Sequence, residues 1–252
     1  MQSADRDEAN DYDSIAEAYS AENETSLVNA YYERPAMLTL AGDVAGRRIL
    51  DAGCGSGPLS AALRDRGAVV TGIDASAGML ALARRRLGDD VALHEVDLGD
   101  LLPFDEGAFD DVVASLVLHY LEDWGPTLAE VRRVLRPGGR LIASVSHPFT
   151  AWAHRDPRPD YHVTTSYTFD WALNGQFVPM KLWRRPLHAM TDAFTAAGFR
   201  LSVISEPLPD PAARELFPDG FQELSTHPNF LFFVVEVPPS ANGSGSQAPR
   251  GS

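Results

Sequence analysis

The chain has little cysteine and no long apolar stretch. Cys54 is the single cysteine among 252 residues, which excludes an intrachain disulfide and any zinc or iron–sulfur site that needs several cysteines. No segment approaches the roughly 18 uncharged apolar residues of a membrane-spanning helix. Residues 1–13 are acidic, unlike the basic and then apolar start of a secretory signal. We therefore expect a cytoplasmic protein without membrane insertion.

Basic side chains are scarce relative to acidic ones. The sequence has 21 Lys and Arg residues against 35 Asp and Glu residues, so its formal net charge is −14 at pH 7. A chain this acidic repels phosphate backbones overall, and we expect no nucleic-acid partner unless folding gathers arginines into one patch. Hydrophobic residues make up 44% of the sequence and charged residues 22%, which is typical of a globular fold with its own core.

Short apolar runs alternate with longer amphipathic segments from about residue 48 onward. The runs predict strands and the amphipathic segments predict helices. The predicted strands are 49–52, 69–73, 91–96, 111–118, 140–145, 199–204 and 230–237, and the predicted helices are 59–65, 77–87, 128–135 and 187–197. This alternation favours an α/β fold with a doubly wound, seven-stranded, mostly parallel sheet that is covered by helices on both faces.

These elements are expected to form one domain, residues 1–237. Residues 11–43 show the apolar spacing of helices with Pro35 as an interruption, so two short helices are predicted there. Residues 238–252 contain no large apolar side chain that would anchor them, and we expect a disordered tail.

The segment 148–185 interrupts the alternation and is rich in aromatic side chains. Within it, Asn174 and Gly175 predict a two-residue hairpin turn, which fixes how the flanking strands pair. The predicted register places six apolar side chains on one face, in the pairs Trp171 with Val178, Phe169 with Met180, and Tyr167 with Leu182. We expect this face to be buried, either as a small satellite core or as a cap that closes over a bound molecule or joins two subunits.

The most informative segment is the run from Ile49 to Gly57, an apolar strand that ends in a glycine-rich turn and opens a helix. Such a turn lets the backbone approach a ligand closely and offers free N–H groups at the start of the helix. The dinucleotide pattern G-x-G-x-x-G does not fit, because Pro58 stands where the third glycine belongs. The sequence also lacks G-x-x-x-x-G-K-[ST], which excludes that nucleoside-triphosphate loop.

Five motifs in order carry a family resemblance. They are Leu50–Gly57, Val70–Ser76, Glu95–Asp97, Leu101–Phe104 with Phe109–Asp110, and Leu135–Leu141. Together they resemble the class I S-adenosylmethionine-dependent methyltransferases, and within them the small-molecule type 11 group that includes quinone-biosynthesis enzymes. The resemblance implies a Rossmann-like methyltransferase fold with a helical lid over residues 1–45 and a cap, residues 148–185, inserted after strand five.

The resemblance implies S-adenosylmethionine as cofactor and S-adenosylhomocysteine as product. No spacing of His, Asp and Glu residues suggests metal ligands, so no bound metal is expected. The resemblance assigns cofactor contacts to twelve residues: Tyr19, Arg34, Asp51, Gly53, Gly55, Gly57, Asp74, Ala75, Met79, Asp97, Leu98 and Ser115. Asp51 is placed to accept a hydrogen bond from the cofactor ammonium, and Asp74 from the ribose hydroxyls. Asp97 is similar to the residue that accepts from the adenine amino group.

Several of these assignments have structural alternatives. The alternative role for Asp74 is a cap on the following helix, but Ser76 already supplies that cap. Met79 is equally suited to the core of its helix, and Arg34 to contact with either the cofactor carboxylate or the methyl acceptor. We expect Cys54 to pack in the turn rather than to act as a nucleophile, because no base lies near it in sequence.

The methyl acceptor is expected beyond the ends of strands four and five, where ligands bind in this class of fold. His147 is predicted to be a general base there because it directly follows strand five and leads into the aromatic segment. His119 is a second candidate, with packing under the cofactor as its alternative. The acceptor is expected to be a small organic molecule, such as a natural-product intermediate, since the end of strand four lacks the Asn/Asp-Pro-Pro-aromatic motif of nucleic-acid amino methyltransferases.

Two further alternatives remain at this stage. In-line placement of a dry acceptor can supply about 7 to 11 kcal/mol, so catalysis need not use a base at all. The same glycine turn would also suit a protein that binds S-adenosylmethionine without methylating anything.

We also expect two copies of the chain to form a homodimer joined through the cap.

Overall fold

The structure is a computed structural model that describes residues 9–173 and 175–239. A seven-stranded sheet has the order β3-β2-β1-β4-β5-β9-β8, with β9 antiparallel to its neighbours and the other pairs parallel. Its strands are β1 (Arg48–Ala52), β2 (Val69–Asp74), β3 (Ala92–Glu95), β4 (Phe109–Ser115), β5 (Leu135–Ser146), β8 (Arg200–Ser205) and β9 (Phe230–Glu236). The predicted doubly wound, mostly parallel sheet is confirmed.

Helices flank both faces of this sheet. They are α1 (Tyr12–Thr25), α2 (Arg34–Ala41), α3 (Pro58–Asp65), α4 (Ala77–Leu87), α5 (Gly125–Val134), α6 (Pro148–Ala153), α7 (Leu187–Ala196), α8 (Ala213–Leu216) and α9 (Pro218–Thr226). None of the helices in the described residues is long and apolar enough to cross a membrane.

The two layers of helices follow from consecutive apolar residues in the central strands, because neighbouring side chains point to opposite faces of a sheet. Ile49 packs in one buried cluster with Met37 of α2 and Leu63 of α3. The next residue, Leu50, packs in a second cluster that includes Phe194 of α7. Both faces of β1 are therefore buried, and the carboxyl end of the strand is the part that remains open to a ligand.

Strand four ends earlier than the sequence predicts. The apolar run continues to Leu118, but β4 stops at Ser115 and a short 3₁₀ turn covers Leu118–Tyr120. Leu116 has a positive φ of 49°, and its N–H donates to both the Ser144 hydroxyl over 2.9 Å and the Ser144 carbonyl over 3.2 Å, after which the chain leaves the sheet. Apolarity alone does not distinguish a buried strand from a buried turn, so the boundary was missed.

Other boundaries differ for identifiable reasons. Helix α5 begins at Gly125 rather than residue 128, because Pro126 fits the first turn of a helix. Strand β5 starts at Leu135, which pairs with Phe109 before a register shift, rather than at residue 140. Pro35 does not break the N-terminal helices; it lies in the first turn of α2, directly after a π-helical turn, Asn29–Glu33.

The segment after β5 contains a separate two-stranded hairpin, β6 (Thr165–Leu173) and β7 (Gln176–Arg184). Its register pairs Trp171 with Val178, Phe169 with Met180, and Tyr167 with Leu182, as predicted. The turn residue Asn174 and the predicted tail residues 240–252 lie outside the described residues.

Burial of the predicted apolar face is uneven. The β7 residues Val178, Met180 and Leu182 are buried, whereas Phe169 of β6 is 41% exposed. The difference arises because the hairpin packs on α1 through Val178, Met180 and Leu173, in a cluster with Ile15. The expectation of complete burial was therefore wrong for Phe169.

One buried ion cluster joins the central strands. Asp111 of β4 is fully buried, and its Oδ1 accepts from Arg47 Nη2 over 2.7 Å and from Arg140 Nε over 2.8 Å. Burial alone would raise the pKa of Asp111, but the hydrogen bonds from Arg140 and Arg47 outweigh burial and hold the pKa below its ordinary value. Arg47 precedes β1 and Arg140 lies in β5, so one carboxylate links three strands.

We expect Asp111→Asn to lower the free energy of unfolding by about 3 kcal/mol at pH 7, because two arginines lose their shared counter-charge. Urea unfolding measures this difference. Since the folded pKa lies below the unfolded one, the wild-type advantage is complete above about pH 4 and disappears as pH falls through the folded pKa. Asp110→Asn, in the adjacent and more exposed residue, is the matched control, and an equal loss in both variants would contradict the prediction.

Candidate functional site

A cavity of about 730 Å³ lies at the carboxyl ends of β1, β2 and β4. Helix α1, the π-helical turn and the hairpin supply its remaining walls. This volume lies within the range of small-molecule and cofactor sites, roughly 300 to 1,000 Å³. The position is where ligands bind in open α/β sheets.

The glycine-rich turn after β1 forms the floor of the cavity. Gly53 has a φ of +77°, and a Cβ atom there would lie 2.6 Å from Val117 Cγ2, so no larger residue fits. Gly55 also lines the cavity, and its N–H donates to Asp74 Oδ2 over 2.8 Å. Gly57 does not line the cavity; with a φ of +81° it lies at the N-terminal boundary of α3.

Asp51 is the most unusual group in the cavity wall. Its side chain is 1% exposed, and Ser60 Oγ donates to Oδ2 over 2.6 Å, while Oδ1 is buried without a hydrogen-bond partner among the described residues. Burial raises the pKa of Asp51 to about 7, although the bond from Ser60 opposes the shift. An unsatisfied buried carboxylate oxygen costs free energy unless a donor reaches it, so this atom is suited to a cationic ligand.

Asp74 ends β2 and is held by backbone N–H groups. Gly55 N donates to Oδ2, and Ser76 N donates to Oδ1 over 2.9 Å. Ser76 Oγ accepts from Met79 N and caps α4, so Asp74 is not needed as the cap. Burial raises the pKa of Asp74, and these backbone bonds oppose the shift. The bonds fix the carboxylate at the cavity wall with lone pairs left for a ligand's hydroxyl groups.

The predicted adenine contacts lie together on the cavity wall. Leu98 and Met79 are buried, and Ala75 and Asp97 are exposed at the rim. Asp97 Oδ1 accepts from Gly99 N over 2.8 Å, which holds its side chain back toward its own loop. Apolar walls with one carboxylate at the rim suit a planar heterocycle with an exocyclic amino group.

The N-terminal helices bring Tyr19 and Arg34 to the cavity. Arg34 Nη2 donates to Asn23 O over 2.9 Å and to Asn23 Oδ1 over 2.6 Å. Asn23 Nδ2 donates to the Tyr19 hydroxyl over 3.2 Å, and burial raises the pKa of Tyr19 to about 12. Tyr19 is therefore neutral, and its hydroxyl is held by α1 itself.

Glu33 is a site residue that the sequence analysis missed. It ends the π-helical turn, is buried, and accepts hydrogen bonds on Oε1 from Ser115 Oγ over 2.7 Å and from Ser144 Oγ over 2.6 Å. A sequence signal existed, because a carboxylate stands here between Tyr32 and an apolar helix. Ser115 lines the cavity as predicted, but its hydroxyl donates a hydrogen bond to Glu33.

His119 lies in the cavity wall, as expected for a residue near the end of strand four. Its Nδ1 accepts from Ser146 N over 3.4 Å, and burial lowers its pKa to about 4. The imidazole is therefore neutral near pH 7. Because Nδ1 accepts from a backbone N–H, the ring proton is assigned to Nε2, which makes that atom a donor.

His147 does not line the cavity. Its side chain is 3% exposed, Nε2 is hydrogen-bonded to Glu206 Oε1 over 2.7 Å, and Nδ1 has no partner in the described part of the chain. Its backbone N–H donates to the carbonyl of Asn229, which does line the cavity, so His147 lies one layer behind the wall. The catalytic role predicted for His147 gains no support from this position.

Aromatic and apolar side chains form the wall opposite the glycine turn. Tyr12 and Tyr120 share a hydrogen bond between their hydroxyls, and the Tyr19 ring meets Trp171 edge to face at 5.4 Å. Phe169, Met180 and Leu182 of the hairpin complete this wall. The residues described here include no group of three or more His, Cys, Asp and Glu side chains placed to hold a metal ion.

These features fit the cofactor that the sequence motifs imply. Eleven of the twelve predicted cofactor residues line one cavity, and Gly57 is the exception. The orphaned Oδ1 of Asp51 would accept from an ammonium group, and the carboxylate of Asp74 from a diol. The site is rich in carboxylates and holds one arginine, Arg34, on its wall, which suits a ligand with net positive charge.

Comparison with known proteins agrees with this geometry. A family model described as a methyltransferase domain matches residues 50–143. The demethylmenaquinone methyltransferase of Clavibacter sepedonicus is 42% identical over 134 residues, which are 52% of this chain and 54% of that protein. The same-named protein of Beutenbergia cavernae is 37% identical over 164 residues, 64% of this chain and 67% of that protein.

The chain spans about half the length of the first of these relatives. Among solved structures, an S-adenosylmethionine-dependent methyltransferase from Mesorhizobium loti has a TM-score of 0.67 and 29% sequence identity. That comparison covers 81% of this chain and 95% of the other. The similarity therefore extends over most of the fold and not only over the glycine turn.

Asp74→Ala tests the ribose assignment. We expect the variant to bind S-adenosylhomocysteine about 1.5 to 3 kcal/mol more weakly, because hydrogen bonds to a charged acceptor are lost. Isothermal titration calorimetry measures the affinity, and Asp89→Ala, in the exposed turn after α4, is the control. Unchanged affinity in Asp74→Ala would remove this residue from the site.

Proposed function

Because the chain belongs to the type 11 family of class I S-adenosylmethionine-dependent methyltransferases, we propose that it methylates a small organic molecule and releases S-adenosylhomocysteine. The single observation that carries the proposal is Asp51 Oδ1, a buried carboxylate oxygen with no donor among the described residues, which lies in the cavity wall beside the glycine turn. A binding site for a cationic amino acid group explains why this oxygen has no protein donor.

The proposed division of the cavity follows its chemistry. Asp51 and the turn from Gly53 to Gly55 hold the amino acid end of the cofactor, Asp74 holds the ribose, and Leu98 with Asp97 holds the adenine. When bound, S-adenosylmethionine supplies a methyl group on a sulfonium centre, which reacts by in-line displacement. The remaining aromatic half of the cavity then takes the methyl acceptor.

The protein contributes mainly placement and exclusion of water. The hairpin residues Trp171, Phe169, Met180 and Leu182 line the acceptor half, together with Tyr12 and Tyr19 of α1, which packs against the hairpin. Holding the acceptor in line and dry supplies about 7 to 11 kcal/mol. Helix α1 and the hairpin thus have the roles of lid and cap in this proposal.

His119 is proposed as a hydrogen-bond donor to the acceptor rather than as a base. Its Nδ1 is occupied by Ser146 N, so Nε2 carries the proton, and the pKa of about 4 makes the ring a weak base. A donor at this place orients an oxygen or nitrogen atom of the acceptor. His147, paired with Glu206 behind the wall, is left with a structural role.

We propose an apolar acceptor with few charges, such as an aromatic natural-product intermediate. The acceptor half is lined by aromatic rings and sulfur or methyl groups, and Arg34 is engaged by Asn23. The net charge of −14 supports a small molecule in the cytoplasm, rather than a nucleic acid, as the methyl acceptor.

Phe177, 76% exposed on the hairpin's outer face, supports a homodimer joined there.

The proposal is tested by incubating the full chain with S-adenosylmethionine and a panel of phenols, amines, thiols and carboxylic acids. We expect acceptor-dependent formation of S-adenosylhomocysteine, detected by mass spectrometry. Tight binding of S-adenosylhomocysteine with no turnover on any acceptor would favour the alternative of a cofactor-binding protein that does not methylate. Failure to bind S-adenosylhomocysteine at all would overturn both.

Substitutions at the two histidines are expected to have different effects. We expect His119→Asn to lower kcat about tenfold through the lost hydrogen bond, with no further change between pH 6 and pH 8, since the pKa of about 4 lies outside that window. His147→Asn should lower the melting temperature and leave kcat within about twofold. A loss of turnover of roughly 10² to 10⁴ in His147→Asn would restore His147 as the general base.

A further inference from the structure

Glu33 is a buried carboxylate that has no assigned role in the proposed methyl transfer. Its side chain is 3% exposed, yet it lines the cavity. It is the last residue of the π-helical turn Asn29–Glu33, a wider turn of a kind often found at functional sites. The turn brings the carboxylate between the N-terminal helices and the ends of β4 and β5.

The hydrogen bonds of Glu33 are unequally shared between its two oxygens. Oε1 accepts from both Ser115 Oγ and Ser144 Oγ, and Ser144 Oγ itself accepts from Leu116 N over 2.9 Å. Oε2 accepts no hydrogen bond from the described residues. One oxygen is thus fixed by the sheet, while the other remains for a ligand.

If Glu33 served only to link the N-terminal helices to β4 and β5 through hydrogen bonds, its side chain would not need to be charged. A glutamine would accept the same two serine hydroxyls without the cost of burying a carboxylate. Arg34, the next residue, donates from Nη2 to Asn23 and forms no direct ion pair with Glu33 among the described residues. Burial raises the pKa of Glu33, and the bonds from Ser144 and Ser115 together with the charge of Arg34 oppose this shift, so Glu33 has a positive charge near it but no direct ion-pair partner in the described part of the chain.

Asp51 is a second buried carboxylate on the same cavity. Asp51 Oδ2 accepts from the Ser60 hydroxyl and Asp51 Oδ1 is buried without a partner among the described residues, while Glu33 Oε1 accepts from two serine hydroxyls. Glu33 also contributes to the raised pKa of Asp51, after the larger effect of burial. Two coupled carboxylates with open oxygens need a cation with several donors, and an ammonium group has three.

We propose that Glu33 Oε2 and Asp51 Oδ1 together bind the α-ammonium of the methyl donor, while Arg34 is directed to its carboxylate. This inference rests on the proposed function and deepens it. The adjacent and oppositely charged residues Glu33 and Arg34 would then bind the two charged groups of the amino acid end. Glu33 is a positioning residue in this arrangement, because it holds the donor for in-line transfer.

Proton release is a direct consequence. With a pKa of about 7, Asp51 is partly protonated at neutral pH in the free protein, and an arriving ammonium displaces that proton. The groups that face the two carboxylates are Tyr19 of α1, Arg34 of α2, Cys54 of the glycine turn, Ser60 of α3, Asp74 of β2, Ser115 of β4 and Ser144 of β5.

Calorimetry with two probes tests the inference on the full chain. S-adenosylhomocysteine carries the amino acid end, and 5′-methylthioadenosine lacks it. We expect Glu33→Gln to weaken S-adenosylhomocysteine binding roughly 10- to 100-fold and to change 5′-methylthioadenosine binding less than about twofold. Titration in two buffers of different ionisation enthalpy should show proton release for the wild type with S-adenosylhomocysteine only, and less release for Glu33→Gln.

The control is Glu17→Gln, an exposed carboxylate of α1 that pairs with Arg85. If Glu33→Gln is too unstable to titrate, Ser144→Ala is used, since Ser144 is buried and does not line the cavity. Loss of this donor should shift the acid limit of S-adenosylhomocysteine binding to higher pH.

Equal weakening of both probes, or unchanged affinity and proton release, would overturn the role of Glu33. Wild type that binds 5′-methylthioadenosine but not S-adenosylhomocysteine would also contradict it. Wild type that binds neither probe would instead contradict the proposed function.

Discussion

The contact between Gly53 and Val117 determines how the ends of β1 and β4 meet. A side chain at residue 53 would overlap Val117, so the glycine lets the two strand ends approach to van der Waals distance. This approach coincides with the sharp departure of the chain after Ser115, where Leu116 takes a positive φ. The following turn carries His119 and Tyr120 into the cavity wall. Both halves of the cavity therefore depend on the close approach of the Gly53 backbone to the Val117 side chain.

Charge is the second organising feature, and the protein treats its buried carboxylates in two ways. Asp111 is surrounded by arginines and strengthens the sheet far from the cavity. Asp51 and Glu33 are supported only by neutral hydroxyls, which satisfy one oxygen of each and leave a net negative charge. The first arrangement stabilises the folded state, whereas the second lacks a direct counter-charge, which the proposed binding of an ammonium group would supply.

The sequence predicts the parts of the protein that local rules govern. The alternation of strands and helices, the cap of Ser76 on α4 and the register of the hairpin follow from periodicity, side-chain capping and turn chemistry. Asp51 and Asp74 were found because they lie within the motifs that carry the family resemblance. These predictions need little knowledge of distant contacts.

The missed features depend on long-range contacts. Glu33 lies 82 residues from Ser115 in the chain, so its place before an apolar helix does not by itself indicate that two strands will meet it. His147 was selected because it follows β5, but the direction of its side chain depends on Glu206 and Asn229. The end of β4 was misplaced because its continuation is apolar both as strand and as buried turn.

The short segment before α1 has a consequence for access to the cavity. Asn10 pairs with the outer edge of β7: its side chain accepts from Lys181 N over 2.8 Å and donates to Lys181 O over 3.0 Å, and its N–H donates to Pro179 O. Helix α1 and the hairpin are thereby tied to each other as well as packed together. They cannot swing apart as two independent flaps without breaking these bonds, so a route between them opens only when the pair shifts as one unit against the sheet. In the proposed arrangement of donor and acceptor, both ligands would use this one route, and the exchange of either would expose the binding place of the other.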